Sequence, residues 1–509
     1  MSIEHSYPEN KSESLLDVAR DFTALVEQSV RERRPLHEVE PLFLAMCLKM
    51  GRAATEQFIA LQGQGDVGPT VVTREGRTLV RSAQPVDRPL RTIFGTHVIH
   101  AHVYSRGAKT AIELRPVDAQ LGLPSGHFSY YYEQFSQYFC VDQAFGQAAR
   151  GLEMVLGQTI SVDSLERINR RVGEQADDYL QALPTPPRAE EGELLVLTAD
   201  GKGVPLVQAD VQRVAAFEDQ PQRPGNRRMA TVAAVYSVDR HLRTPEEIVA
   251  ALFREAPSAS KTKRPEPQFK HVVACFPRVH DEEDGDEAFA SSGPLEAFAW
   301  AAGQIETRRV PGQTLIRLMD GQPSLWSTAA ACVSLPVEET VEILDILHAA
   351  SYVWRAAKVF HPHQEQQEAF ARERLLRILR GEARGVIAGL RQQGTKRKLT
   401  GAARKELATV CNYLERNAAR LRYDEYLRAG YPIATGVIEG ACRHLVKDRM
   451  ERSGMRWRLE GARSMLNVRA VFQSSYWEEF QVERIQREQA ELHANWKTME
   501  LSHSPQLSI

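Results

Sequence analysis

Residues 193–203, ELLVLTADGKG, set a short apolar run directly against an aspartate and two glycines. The run shows no polar alternation and is too short for an isolated helix, so it reads as a strand buried on both faces. On this reading the strand ends at Asp200. Residues 314–321, TLIRLMDG, repeat the pattern and end at Asp320. In both places glycine after the acid lets backbone approach closely.

Outward from these two runs, MATVAAVYSV (229–238) and HVVACF (271–276) read as second and third strands. Residues 294–305 and 323–332 read as helices, and 341–344 as a last strand. Three strands, a helix, a strand, a helix and a strand is the order of a ribonuclease-H-like core. The expected fold class is therefore mixed α/β. Residues 349–427 look wholly helical, an all-α insertion that divides the core into 190–348 and 428–475. Residues 436–474 read as helix again. Polar loops are expected at 209–228 and at 256–270, which holds the basic run KTKR (261–264).

Upstream, PTPP (184–187) marks a boundary. Residues 1–15 read as a disordered tail, 16–183 as a mostly helical region, and 476–509 as a C-terminal tail, loose from about 488. Within 90–105 the β-branched and aromatic residues suggest one or two strands. Residues 141–173 form a candidate helix-turn-helix. Phe145, Ala149, Leu152 and Leu156 would be the inner face of its first helix, and Leu165, Ile168 and Val172 that of its second. Gly157-Gln158-Thr159 would be the turn, with Ser161 as the second helix's cap. Ser164, Arg167 and Arg171 would then face outward, as in a helix that reads a major groove. Two packed helices with a solvated basic face is the plainer reading.

The 509-residue chain is 43% hydrophobic and 26% charged, ordinary for a globular protein. No apolar run approaches the ~18 residues of a membrane span, and the polar start is unlike a secretory signal. A cytoplasmic location follows as the expectation. Six scattered cysteines without a CxxC argue against a disulfide framework and a structural zinc site. His97, His100 and His102 share a strand with no cysteine near and read as surface or core residues. The 64 basic and 66 acidic residues give a net charge of −2, so any affinity for nucleic acid must be local. From Glu439 to Arg469, eight basic residues minus four acidic ones gives +4. Trp457 lies among these arginines, either to stack on a base or to enter the core.

Strand-end acids plus a later glutamate suit one chemistry. Phosphodiester cleavage is promoted by two divalent cations about 4 Å apart, which a few carboxylates on rigid elements can hold. Glu439 sits just inside a helix expected to be capped by Thr435. Arg443 and Lys447 follow at steps of four, and would share its face as phosphate contacts. A solvated Glu–Arg pair is the alternative. Each Asp-Gly, taken alone, is equally consistent with a simple turn.

TADGKGVPL (198–206), LMDGQPSLW (318–326), DILH (345–348), YPIATGVIEGACRHLVKDRMERSGMRW (431–457) and GARSMLNVRAV (461–471) resemble bacterial insertion-sequence transposases of the DDE class, in the Kra-type group. A weaker likeness lies at Phe94-Gly95 and LRPVDAQLGLP (114–124). The resemblance implies that Asp200, Asp320 and Glu439 bind two Mg²⁺ or Mn²⁺ ions. It places Asp345 and His348 beside them, and Lys202, Arg443 and Lys447 against DNA. It further implies double-stranded DNA partners, both terminal inverted repeats and target, with a homodimer or larger assembly to pair the ends. Two rivals stand beside it: a DNA-binding protein with a dead core, and a metal-dependent nuclease without strand transfer.

Overall fold

The computed structural model describes residues 13–215, 225–255, 263–280, 289–452 and 454–497. Residues 1–12, the middle of the loop at 209–228, most of 256–262 with Lys261, and the end of the tail lie outside these. The chain divides into two compact units, residues 170–477 and residues 1–169 with 478–509.

The larger unit is built on a five-stranded sheet. Its spatial order is Thr340–Leu344, Leu315–Met319, Leu194–Pro205, Arg227–Val238 and Gln268–Cys275. The last three pair antiparallel, whereas Leu315–Met319 lies parallel to Leu194–Pro205 and Thr340–Leu344 parallel to Leu315–Met319. All seven core elements expected from sequence are present in the expected order. Helix Gly293–Arg308, capped by Ser292 accepting from the Leu295 amide, links the antiparallel half to the parallel half.

The strand carrying Asp200 does not stop there. Leu194–Pro205 continues through Gly201, Lys202 and Gly203, which lie opposite Thr231, Ala230 and Met229. The partner Arg227–Val238 is equally long, so ladder hydrogen bonds hold a segment with little intrinsic strand preference. A Cβ at Gly201 would come within 2.7 Å of the Met229 methyl, the movable end of a flexible side chain.

One face of the sheet and the helical insertion form a single core. Leu194, Val196, Tyr236, Ile316, Leu318 and Ile343 from the strands are buried together with residues of helices Ile346–Phe360, Gln364–Leu379, Ala383–Lys396 and Gly401–Arg416. Helix Ile346–Phe360 shows why. Its buried residues Ala349, Ala350, Val353, Ala356, Ala357 and Phe360 form one apolar stripe. The insertion thus extends the core of the sheet.

The helix expected over 436–474 is broken. An α-helix, Gly436–Ala441, passes into a π-helix, Cys442–Lys447, and then a short turn, Asp448–Met450. The chain next runs extended, where Trp457 donates its amide to the Pro205 carbonyl at 2.9 Å and accepts from the Val207 amide at 2.8 Å. Helix Leu459–Gln473 follows. Trp457 is buried, with Arg449 packed 4.8 Å above its ring, so it belongs to the core.

The smaller unit is less helical than its sequence suggests. After helices Leu15–Arg31 and Leu36–Ala60 come a sheet of four short strands between residues 70 and 114 and the hairpin Val86–Thr92 with Gly95–Ala101. The C-terminal tail, expected to be loose from about 488, begins with a helix, Trp477–Leu492. Its Arg484 is fully buried and meets the buried Glu133 at 3.3 Å. Burying such a charge is tolerable only when it is paired, which accounts for an ordered return of the chain here.

Candidate active site

The sheet register brings the acids level. Arg317 pairs with Leu197, so three residues further on Asp320 (317 + 3) stands beside Asp200 (197 + 3). Met319 pairs with Leu344, so the next residues, Asp320 and Asp345, are also neighbours, and the Asp345 amide donates to the Met319 carbonyl at 2.9 Å. Asp200 lies within the first strand, and Asp320 and Asp345 each directly follow a strand of the same parallel set, so the three acids lie toward one edge of the sheet. None of this lateral alignment is visible in the linear spacing.

Glu439 reaches the same region from helix Gly436–Ala441. Burial raises its proton affinity first, and the charges of Asp345 and Asp200 raise it further while His348 opposes them. Asp320 is also raised, chiefly by burial and then by Asp200 and Asp345. Both acids thus sense the same two aspartates and the same histidine, so all five groups share one electrostatic neighbourhood. Asp200 itself accepts from the Cys442 thiol, Sγ to Oδ2 at 3.7 Å.

Asp345 is fully buried and holds the site together. Its Oδ1 accepts from the Leu347 amide at 3.1 Å and the Thr435 amide at 3.2 Å, and its Oδ2 meets His348 Nδ1 at 2.8 Å. One carboxylate thereby caps helix Ile346–Phe360 and fixes the backbone just before the Glu439 helix. Thr435 occupies the N-cap position, but its side chain makes no capping hydrogen bond; its own amide donates to Asp345.

The hydrogen bond to Asp345 raises the His348 pKa, with Asp320 and Asp200 adding to the effect. A histidine raised on folding stabilises the protein fully below its unfolded value of 6.5, and that contribution is lost as pH rises through the folded value. Asp345→Asn is accordingly expected to lower the His348 pKa, seen in the pH titration of its imidazole NMR signals. An unchanged titration would mean that Asp345 does not set the proton on His348.

Two residues that sequence reasoning passed over complete the walls. The buried ring of Tyr413, on Gly401–Arg416, stacks on Tyr352 at 3.6 Å and lies where a Cβ on Gly321 would be. Asp320 is among the charges that raise the Tyr413 pKa. Cys442, at the start of the π-helix, faces Asp200. Its spacing from Glu439 gave the only sequence signal. The insertion also braces the strand ends: Tyr423 donates to the Leu344 carbonyl at 2.8 Å, and Arg420 pairs with Glu342 at 2.8 Å.

The expected basic contacts are less uniform. Lys202 and Arg227 both pair with Glu451, at 3.6 and 3.0 Å. Arg443 and Lys447 are exposed, with Arg443 3.8 Å from Asp448. Glu439, Arg443 and Lys447 are all exposed, so the run keeps the outer face expected from steps of four even though Cys442–Lys447 is a π-helix. Arg449 and Arg469 are buried, and Arg469 Nε donates to the Leu445 carbonyl at 2.8 Å; the surface is less basic than +4 suggests.

Helix Phe145–Leu156, in the smaller unit, and helix Val162–Gln181, which crosses the boundary at residue 170, flank a left-handed Gly157, and Ser161 Oγ accepts from the Ser164 amide at 3.1 Å. Arg167 is exposed and 3.2 Å from Asp163, whereas Arg171 is half-buried and does not share that outer position. Along Gly95–Ala101, His97 is buried and His100 exposed on the opposite face, so these histidines cannot converge.

No protein-family profile and no curated protein matches this chain. Among solved structures it is similar to the Drosophila P element transposase strand transfer complex, at 11% identity over 73% of this chain and 81% of that one. The TM-score is 0.23, too loose a superposition to support either fold or function. Among the described residues no helix is long and apolar enough to cross a membrane.

Also among the described residues, no three His, Cys, Asp or Glu side chains converge closely enough to hold one metal ion between them. A pair of ions makes a different demand: one shared carboxylate in the middle and a further acid on either side. The charges of Asp345 and Asp200 each act on both Asp320 and Glu439. Neither Asp320 nor Glu439 forms an ion pair with a described cation, and burial and the charges of Asp200 and Asp345 raise the proton affinity of both. That excess of negative charge, on oxygen donors only, fits hard divalent cations.

Proposed function

We propose that the protein is a metal-dependent DNA transposase with a ribonuclease-H-like core, its catalytic acids being Asp200, Asp320 and Glu439. The observation that carries this reading is the register: Asp200 on the first strand, level with Asp320 at the end of the fourth, within electrostatic reach of Glu439. Asp200 and Asp320, completed by Glu439, would hold two Mg²⁺ or Mn²⁺ ions. Bound there, such ions activate an oxygen nucleophile and neutralise the phosphate and leaving oxygen.

The chain's own residues do the rest. Asp345 orients His348 and anchors the Glu439 helix. Protonated His348 can donate to a phosphate oxygen of the scissile strand. Exposed Arg443 and Lys447 offer charge to neighbouring phosphates, a sequence-independent and salt-sensitive contribution. Hydrolysis of the phosphodiester leaves a 3′-OH at the element end, and that hydroxyl then attacks target DNA.

The test is cleavage of plasmid DNA by the full chain with Mg²⁺ or Mn²⁺. Nicking is expected with either metal and is lost on chelation. Asp200→Asn and Glu439→Gln should each lower the rate at least about a thousandfold, as expected when a member of a concerted catalytic group is removed. DNA gel shifts and circular dichroism should stay unchanged. Cutting by either variant near the wild-type rate would remove that acid from the mechanism. A protein that shifts DNA and never cuts it is a pure binder, and cutting without integration products marks a simple nuclease.

A further inference from the structure

On the sheet side away from the acids' row, Arg227–Val238 and the chain at 430–434 enclose a cavity of about 60 Å³. Its wall carries His241, Arg243 and Arg264 against one acid, Asp239, whose Oδ1 is 3.3 Å from the Glu193 amide. Tyr236 also lines it. This tyrosine is 2% exposed, its hydroxyl has no hydrogen-bond partner among the described residues, and the Arg264 charge acts on it. Arg264 likewise has no ion pair or hydrogen bond there. Arg243 is fixed by donating to the Tyr431 carbonyl and, at 3.1 Å, to that of His241. Arg240 and Lys263 border a wider, open cleft continuous with the cavity.

Arg243 and the exposed Arg264 face the cavity beside His241, with Asp239 the one acid in its lining, so the wall carries an excess of positive charge that an anion would offset. Burial and the neighbouring Arg264 push the Arg243 pKa down to about 10, and Arg243 and Arg264 lower His241; Glu247 alone opposes both. The cavity volume holds about four waters, room for one small tetrahedral anion. A tyrosine hydroxyl and forked guanidinium groups are donors suited to phosphate oxygens.

We propose that this cavity binds a phosphate group, from a phosphorylated small molecule or a DNA backbone, with Arg264, Arg243, His241 and the Tyr236 hydroxyl as its donors. The site is separate from the carboxylates and does not depend on the transposase reading. It does touch the same machinery. Ala434 and Val437 line the cavity, and the adjoining residues hold Thr435 to Asp345 and carry Glu439. An occupied cavity would pin the segment that positions Glu439.

The experiment is calorimetric titration of the full chain with inorganic phosphate, ionic strength held constant with chloride. One phosphate per chain is expected. Arg264→Gln should weaken it about tenfold, the scale of one charge-assisted hydrogen bond, and Tyr236→Phe less. Arg264 makes no contact that the fold needs, so its variant should melt like the wild type; Arg243→Lys is a second variant that keeps the charge and loses the fork. Competition between phosphate and a DNA duplex would identify the backbone as the source, and phosphate binding without displacement a small molecule. No heat beyond the chloride control, or equal binding by Arg264→Gln, overturns the proposal.

Discussion

Asp345→Ala is expected to destabilise the larger unit by about 3–5 kcal/mol, the range for removing one member of a buried, fully hydrogen-bonded charge cluster. The carboxylate accepts two backbone amides and meets one imidazole from full burial. Alanine leaves the Thr435 amide without an acceptor at a place where burial keeps water away. It also removes the cap of Ile346–Phe360. Asp345→Asn keeps an oxygen for both amides and disturbs only the side facing His348, so its cost should be near 1 kcal/mol. The check is the denaturant midpoint of the two variants. If alanine and asparagine cost the same, the carboxylate serves only His348 and the backbone anchoring is negligible.

That arrangement explains why part of the site was readable in the sequence and part was not. Both-face burial leaves a local signature, so LLVLTA and TLIRLM announced their strands, and acids at or just beyond such runs announced themselves. The register did not, because parallel pairing is settled by packing between strands and their crossovers. Asp200 was taken for a strand end since Gly-Lys-Gly favours turns; the long partner Arg227–Val238 overrides that preference. The π-helix was invisible because one extra residue in a turn changes no composition.

Charge counting failed for a related reason. Arg449 and Arg469 count as basic surface in the sequence, but both are buried, Arg469 against carbonyls left open by the irregular helix. Small strands in the smaller unit escaped notice because two to four residues cannot establish a period. The helical tail escaped because its buried Arg484 looks like a surface residue until Glu133 is placed beside it. Long elements with one dominant burial pattern are legible; features produced by contact between distant segments are not.

Asp320→Asn should move stability and activity in opposite directions. The Asp320 pKa is raised above 3.8 by burial, and then by Asp200 and Asp345. The folded state therefore holds that proton more tightly than the unfolded state does. By linkage, stability falls as pH rises from near 3.8 through the folded value, and at neutral pH the ionised side chain strains the site. Asparagine removes the charge, keeps an acceptor for the Gln322 amide now 2.9 Å from Oδ1, and fills the same volume. A melting temperature higher by about 2 °C is expected in metal-free buffer at pH 7, the scale of ~1 kcal/mol in a unit of this size. The gain should vanish below pH 4, where the wild-type carboxyl is itself protonated. DNA cleavage should fall at least about a thousandfold in the same variant. Added Mg²⁺ should raise the melting temperature of the wild type more than that of Asp320→Asn, because only the wild type retains the charge to be neutralised. A variant that melts at or below the wild-type temperature at pH 7 would mean that the acids are not straining one another. The case for a shared cation site at Asp200, Asp320 and Glu439 would then lose its physical basis.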